Sequence, residues 1–426
     1  MLKILIDSSK TSGMSIVQLV TGIVASVLWA RYLGPEQFGL FVFAMVICST
    51  CALIMNPSLY AAANFYLSKG KCSVGALWTT LLLCSLLVSL LASLCSYVIW
   101  TWFYGNSVQN EWLVWALFPT IITGSVLQAN FSGVMYGNQK VNLITVWNTT
   151  TSIFYSVGTL IIVGLSLAPT WRVACTLSAL SQLINGAGLL FLSYPKDKIS
   201  PGNFSASGLR AQAKELTKYG LAVYPGRIAS FLSYRIDSYF IMAMLGSSAV
   251  GIYGLATSLA ELLWVLPSAI SLILLPNLAK LEVEVAAKRT LNTSQIVMLI
   301  MFILAFFMAC LANLLIPLLY GADYYEAYQP LLWLLPGVVS FAVAKILEPF
   351  FQSRHKPSLP TFAAIIGMLV NIVANLILIP QLGLVGAALA SSISYATQVL
   401  ILAYLWGKMN NRPWWPLFVP NVALER

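Results

Sequence analysis

Long apolar runs follow one another almost without pause along this chain, and that succession limits what it can fold into. Taken with their flanking punctuation the runs number twelve: residues 11–30, 40–66, 76–101, 113–135, 142–166, 173–194, 219–244, 249–276, 291–319, 330–351, 359–379 and 384–407. A helix needs about 20 such residues to cross the hydrocarbon core of a bilayer. Charged residues are only 8% of the 426, against about a quarter in soluble domains, too few to coat a globule. No ten-residue window alternates with period two, as a transmembrane barrel requires. The chain therefore reads as an all-α membrane protein with twelve transmembrane helices.

An even number of crossings puts both termini on one side. With that side cytoplasmic, eighteen of the 23 lysines and arginines fall in cytoplasmic segments and two, Arg31 and Arg172, in outer loops. The other three, Arg227, Arg235 and Lys345, lie inside spans. Short basic loops stay preferentially in the cytoplasm, so this bias supports both the count and the orientation. The net charge of +10 is then a topology signal, and a nucleic-acid partner is excluded. No small-residue cleavage site follows the start MLKILIDSSKTSGM, so the first helix is expected to be retained. Cys48 and Cys51 form a CxxC inside an apolar span, where small buried residues explain them better than redox or zinc chemistry.

The longest non-apolar stretch is residues 195–218, rich in Pro, Gly, Ser and basic residues. It is expected to link an N-terminal six-helix bundle, 1–194, to a C-terminal one, 219–426, with an amphipathic helix around Leu209–Leu216 on the membrane surface. The two halves echo each other. At an offset of 212, Leu33, Gly34, Gly39 and Ala44 fall on Leu245, Gly246, Gly251 and Ala256. FYG (103–105) and LYG (319–321) match at 216, as do Lys140 and Lys356, and Pro57 matches Pro267 at 210. Four matches in chain order at nearly one offset indicate a duplication into parallel six-span repeats, an architecture characteristic of secondary transporters. Within it Gly34-Pro35 reads as an outer hinge after the first span, with Gly39 letting the next helix start tightly. Gly246 and Gly251 make the same hinge in the second half. Pro57, Pro225 and Pro267 are expected to bend their helices.

Ionisable side chains at bilayer depth cost at least about 2.5–3.5 kcal/mol each and mark a cavity or a pairing site. Span seven carries Arg227, Arg235 and Asp237, span eight Glu261, and span ten Lys345 and Glu348. At 100° per residue, Arg235 and Asp237 flank Arg227 by about 80° on either side, so one broad polar face holds all three. Lys345 and Glu348, three residues apart, share a face and can partner each other. Two readings stand side by side: interhelical ion pairs that keep helices in register, or a cationic lumen for an anionic headgroup, since arginine forks suit phosphate oxygens. Asp237, Glu261 and Glu348 are also candidates to titrate and couple transport to protons or sodium. The lone histidine, His355, lies in a basic loop, and HExxH, GxxxxGK[ST] and GxGxxG are all absent. The chain is thus not expected to be an enzyme, to hydrolyse ATP or to hold a cofactor or metal.

ARYLGPEQFGLF after the first span, RIDSYFIMAMLGSSAVGIYGLA (235–256) and NLILIPQLGLVGAALAS (375–391) together resemble the signatures of bacterial polysaccharide transporters. These belong to the multidrug/oligosaccharidyl-lipid/polysaccharide exporter superfamily, and the O-antigen (Wzx-type) flippases are the nearest branch in pattern. The resemblance covers essentially the whole chain. It implies two six-helix bundles forming a V-shaped central cavity in the bacterial inner membrane. It also implies an undecaprenyl-diphosphate-linked oligosaccharide as substrate, moved from the cytoplasmic to the periplasmic leaflet by alternating access. Polysaccharide polymerase and chain-length proteins are implied partners, beside membrane lipids. On this reading Arg31, Arg227, Arg235 and Lys345 are the candidates to meet the diphosphate. Related lipid II flippases usually have fourteen spans, and twelve argues against a peptidoglycan precursor. A cation-coupled multidrug exporter of the same superfamily is the alternative. A membrane-embedded glycan polymerase or ligase is disfavoured because the longest outer loop is about a dozen residues, a short connection.

Overall fold

A computed structural model describes residues 2–69, 74–104, 111–166, 169–195 and 206–419. Among these residues every regular element is helical. In chain order they are α1 (Leu2–Met55), α2 (Leu59–Ser68), α3 (Val74–Tyr104), α4 (Glu111–Gly137), α5 (Val141–Gly164), α6 (Trp171–Leu192), α7 (Ala206–Leu245), α8 (Ser247–Leu262), α9 (Val265–Leu278), α10 (Val283–Tyr320), α11 (Tyr328–Ser353), α12 (Ser358–Leu382) and α13 (Leu384–Asn410). Nine helices among the described residues are long and apolar enough to cross a membrane, or up to ten if the bent pair α8 and α9 is one span. α7, interrupted by Arg227, Arg235 and Asp237, is not among them.

One helix shows a face inverted relative to a soluble protein. On α3, Leu83, Leu86, Leu87, Leu90, Leu91 and Leu94 are exposed while Ser85, Ser89, Ser93 and Ser96 are buried. The hydroxyls of Ser89, Ser93 and Ser96 donate back to carbonyls of their own helix at 2.6–2.8 Å. Small residues let helices approach closely, and leucines face lipid that is as apolar as they are.

Helix breaks fall where local chemistry demands them. Gly34 has φ 70° and ψ 169° inside α1, and Gly246, which caps α8, has φ 88° and ψ −176°. That region of backbone space is essentially reserved for glycine. Pro35 then opens the second limb of α1, where its missing N–H costs nothing. The expected second span, 40–66, is divided at Asn56, Pro57 and Ser58 into the second limb of α1 and α2. Proline supplies no N–H to the helix ladder and disfavours helical backbone at the residue before it. Asn56 fills the gap: its Oδ1 accepts from Leu59 N–H at 3.4 Å and its Nδ2 donates to Asn130 Oδ1 at 3.0 Å. Asn130 Nδ2 in turn donates to Ser85 Oγ at 2.9 Å, so the break is tied to α4 and α3. The Tyr224 hydroxyl also donates to the Ile54 carbonyl. The expected eighth span is broken too, with α8 and α9 bent by 44° ahead of Pro267. By contrast, α7 continues as one helix through Pro225.

The chain divides into two compact units, Met1–Pro225 and Gly226–Arg426. Within the first, α4 packs on α6, α3 and α2, α1 packs on α5, and α5 packs on α6. Within the second, α11 packs on α13, α10 and α9, and α12 packs on α13. Of the expected linker, residues 196–205 lie outside the described residues. The separate surface helix expected around Leu209–Leu216 is not seen: those residues belong to the 40-residue α7. Leu216 is buried with Leu59, Leu81, Phe131 and Leu189 in the core of the first unit. Leu216 is thus taken by protein and is not free for the membrane surface.

Candidate functional site

Among the sequence-predicted charges, the structure brings Arg235 and Glu261 together. Arg235 Nη1 donates to Glu261 Oε1 at 2.6 Å and Nη2 to Oε2 at 3.0 Å, a two-pronged pair between α7 and α8. Their side chains keep 33% and 27% exposure, so the pair is reachable. Beside it lies an aromatic box. The Tyr234 ring is 5.3 Å from Trp264, 5.8 Å from Phe341 and 5.9 Å from Tyr395. Lys345 rests over two walls of this box, with Nζ 5.1 Å from the Trp264 ring centre and 5.6 Å from that of Phe341. Ring faces are negative and hold a cation where no anion need stand. No salt bridge joins Lys345 to Glu348 among the described residues. Trp264 is fixed in turn by its indole N–H, which donates to the Val338 carbonyl at 3.1 Å.

Asp237 stands apart from that pair on the same helix. It is 1% exposed and accepts from the Tyr253 hydroxyl at 2.8 Å, from Asn375 Nδ2 at 2.6 Å and from the Ser391 hydroxyl. Asn375 Nδ2 is shared with Asn371 Oδ1 at 2.9 Å, while Asn375 Oδ1 is buried and meets no donor among the described residues. A carboxylate deep in a helical unit is thus ringed by oxygens and amides from α8, α12 and α13, each hydrogen bond strengthened by the charge. Arg227 is half-buried two turns before Arg235, Glu348 is half-buried on α11, and Arg31 is exposed at the end of the first limb of α1.

A neutral polar cavity in the first unit was missed by the search for charges. It measures 440 Å³ and is walled by α1, α4, α5 and α6. Its signal is nonetheless in the sequence. Asn148, Thr151, Ser152 and Tyr155 on α5, and Ser178, Ser181, Gln182 and Asn185 on α6, repeat at i, i+3, i+4 and i+7. That spacing draws a polar stripe along one face of each helix.

Comparison with known proteins places the chain in a family. A family model described as "Polysaccharide biosynthesis protein" matches residues 8–282, and one named "MatE" matches residues 226–377. A Haloferax volcanii protein named "Probable low-salt glycan biosynthesis flippase Agl15" is 21% identical over 383 residues, 88% of this chain and 78% of its own length. A Shigella flexneri protein named "Putative O-antigen transporter" is 21% identical over 403 residues, 89% of this chain and 92% of its own. Among solved structures, "Lipid II flippase MurJ, inward closed conformation" superposes with a TM-score of 0.76 at 16% identity, covering 96% of this chain and 88% of that one. With one family model spanning residues 8–282 and a sister model over 226–377, this chain belongs to the polysaccharide biosynthesis protein family of the multidrug/oligosaccharidyl-lipid/polysaccharide exporter superfamily.

Proposed function

We propose that the protein is a flippase that moves undecaprenyl-diphosphate-linked oligosaccharide units across the inner membrane by alternating access. The observation that carries the proposal is the reach of the polysaccharide family match, residues 8–282, with relatives named flippase and O-antigen transporter. The site chemistry agrees. Arg235 already holds a two-oxygen anion in its fork, and a diphosphate presents the same pairing geometry with more charge. Lys345 is a second cation near by, and Arg227 and Arg31 are further candidates to meet the diphosphate. Asp237, with the oxygens of Asn371 and Asn375 beside it, is the group we assign to coupling by protons or sodium. Counting the two limbs of α1 separately, α8 with α9 as one and α7 as a further span gives twelve crossings in two six-helix halves. Both termini are then cytoplasmic, with a linker near residues 195–218.

The test is direct. Purified protein in liposomes carrying a fluorescent undecaprenyl-diphosphate disaccharide should expose inner-leaflet label to an impermeant quencher faster than protein-free liposomes do. Equal rates would sink the proposal. The MatE match over 226–377 favours a second reading, export of cationic drugs. Efflux of a cationic dye without any glycolipid movement would establish it instead.

A further inference from the structure

We propose that the cavity inside the first unit is the seat of the uncharged glycan part of the cargo, an inference that rests on the flippase reading. The cavity, 440 Å³, lies within the range of small-molecule sites, about 300–1,000 Å³. Its lining includes Gln18, Gln128, Asn148, Gln182 and Asn185, and holds no Asp, Glu, Lys, Arg or His. A wall without charge selects against a diphosphate and against a cationic drug. Amides both donate and accept, as a ligand made of hydroxyl groups requires. Phe41 and Tyr155 add ring faces for the C–H side of a sugar.

The hydrogen bonding separates wall from ligand site. Some polar groups here join helices to each other: Gln18 Nε2 donates to Thr149 Oγ1 at 2.9 Å, and Thr21 and Ser152 hydroxyls meet at 2.7 Å. Others have no such use. Asn148 Oδ1 and Asn185 Oδ1 are buried and meet no donor among the described residues. Buried acceptors are rarely left so, and each calls for an explanation. Ordinary polar glue between membrane helices would pair its members. Open acceptors on residues of both α5 and α6 that line one uncharged cavity fit a ligand that brings its own donors.

The experiment uses the full chain in nanodiscs and two kinds of probe. Methyl glycosides of glucose, galactose and N-acetylglucosamine report on the cavity by saturation-transfer NMR, and farnesyl diphosphate reports on the cationic site. At least one glycoside should bind the wild type. Asn148→Leu and Asn185→Leu should weaken it at least tenfold, leave farnesyl diphosphate binding unchanged and keep or raise the unfolding temperature, because each removes an unpartnered acceptor. A variant that unfolds early is replaced by Gln182→Leu, whose side chain makes no hydrogen bond to another described residue. If no glycoside binds the wild type, or if the variants bind it equally well, the proposal is overturned. Glycoside binding that depends on Asn148, with no binding of farnesyl diphosphate, leaves the cavity assignment standing and counts against the diphosphate-linked cargo.

Discussion

Exchanging Arg235 and Glu261 separates two roles that a single deletion confuses. The pair is close and two-pronged, at 2.6 and 3.0 Å. Two unit charges at about 4 Å interact by about 1 kcal/mol in water and about 4 kcal/mol at an effective dielectric of about 20. With 33% and 27% of the side chains exposed, screening brings the coupling down to about 1–2 kcal/mol. Arg235→Ala and Glu261→Ala should each lower stability by roughly that amount. Their effects on flipping should differ. Arg235→Ala removes the fork proposed for the diphosphate, and losing about 1.4 kcal/mol of binding already means a tenfold loss. Glu261→Gln keeps the shape but releases the fork, so flipping should hold or rise. The double exchange Arg235→Glu with Glu261→Arg rebuilds the attraction with its ends reversed. Thermal unfolding should recover while fluorescent-glycolipid flipping should not. Recovery of both together would refute a substrate role, because a pair that works equally well in either direction only holds helices in register.

Two further perturbations probe the helix break and the buried carboxylate. Gly34→Ala should cost about 1–3 kcal/mol, since a side chain is disfavoured at that backbone position and nothing lies within 4 Å of the added carbon. Pro35 blocks relaxation into a helix, so adding Pro35→Ala should restore part of the unfolding temperature; no recovery would show that proline is not what locks the break. Asp237→Asn should abolish any dependence of flipping on a proton or sodium gradient while leaving the fold near wild type. Asp237→Leu should destabilise strongly, because the donors from Tyr253, Asn375 and Ser391 are stranded at about 1–3 kcal/mol each. Unaltered gradient dependence in Asp237→Asn would remove Asp237 from the coupling role.

What was legible in the sequence follows from what lipid demands. Apolar runs and buried charges stand out because a bilayer tolerates nothing else, and Gly34-Pro35 stands out because few residues fit its geometry. Contacts made at long range are less visible. Pro57 announces a bend, but the complete break depends on Asn56 reaching Asn130 and, through it, Ser85. Spacing put Lys345 beside Glu348 on α11, yet the ammonium lies over Trp264 and Phe341, a choice that depends on how α9 packs against α11. The helix around Leu216 was amphipathic enough for a membrane surface, and only the fold shows protein covering that side. The neutral cavity is the least visible feature, because amides and hydroxyls at helical spacing carry no charge to mark them.

The same spacing recurs in the second half of the chain. Ser178, Ser181 and Asn185 on α6 fall on Ser391, Ser394 and Gln398 of α13 at one offset, 213, inside the range set by the other matches, with Gln182 on Tyr395. The two stripes are used differently. On α13 the polar groups are spent within the second unit: Ser391 donates to Asp237, Ser394 donates to the Gly367 carbonyl at 2.8 Å, and Gln398 points at Ser394. On α6, Ser178 donates to Tyr155 at 3.3 Å, while the side chains of Ser181 and Gln182 make no hydrogen bond to another described residue and Asn185 leaves a buried acceptor open. On the proposed duplication, one face closes around a carboxylate in one half and stays open and uncharged in the other. On the proposed reading the closed face holds the carboxylate assigned to coupling, and the open face holds the neutral glycan. Divergence of such a stripe is a physical route by which one scaffold acquires both a coupling group and a seat for cargo.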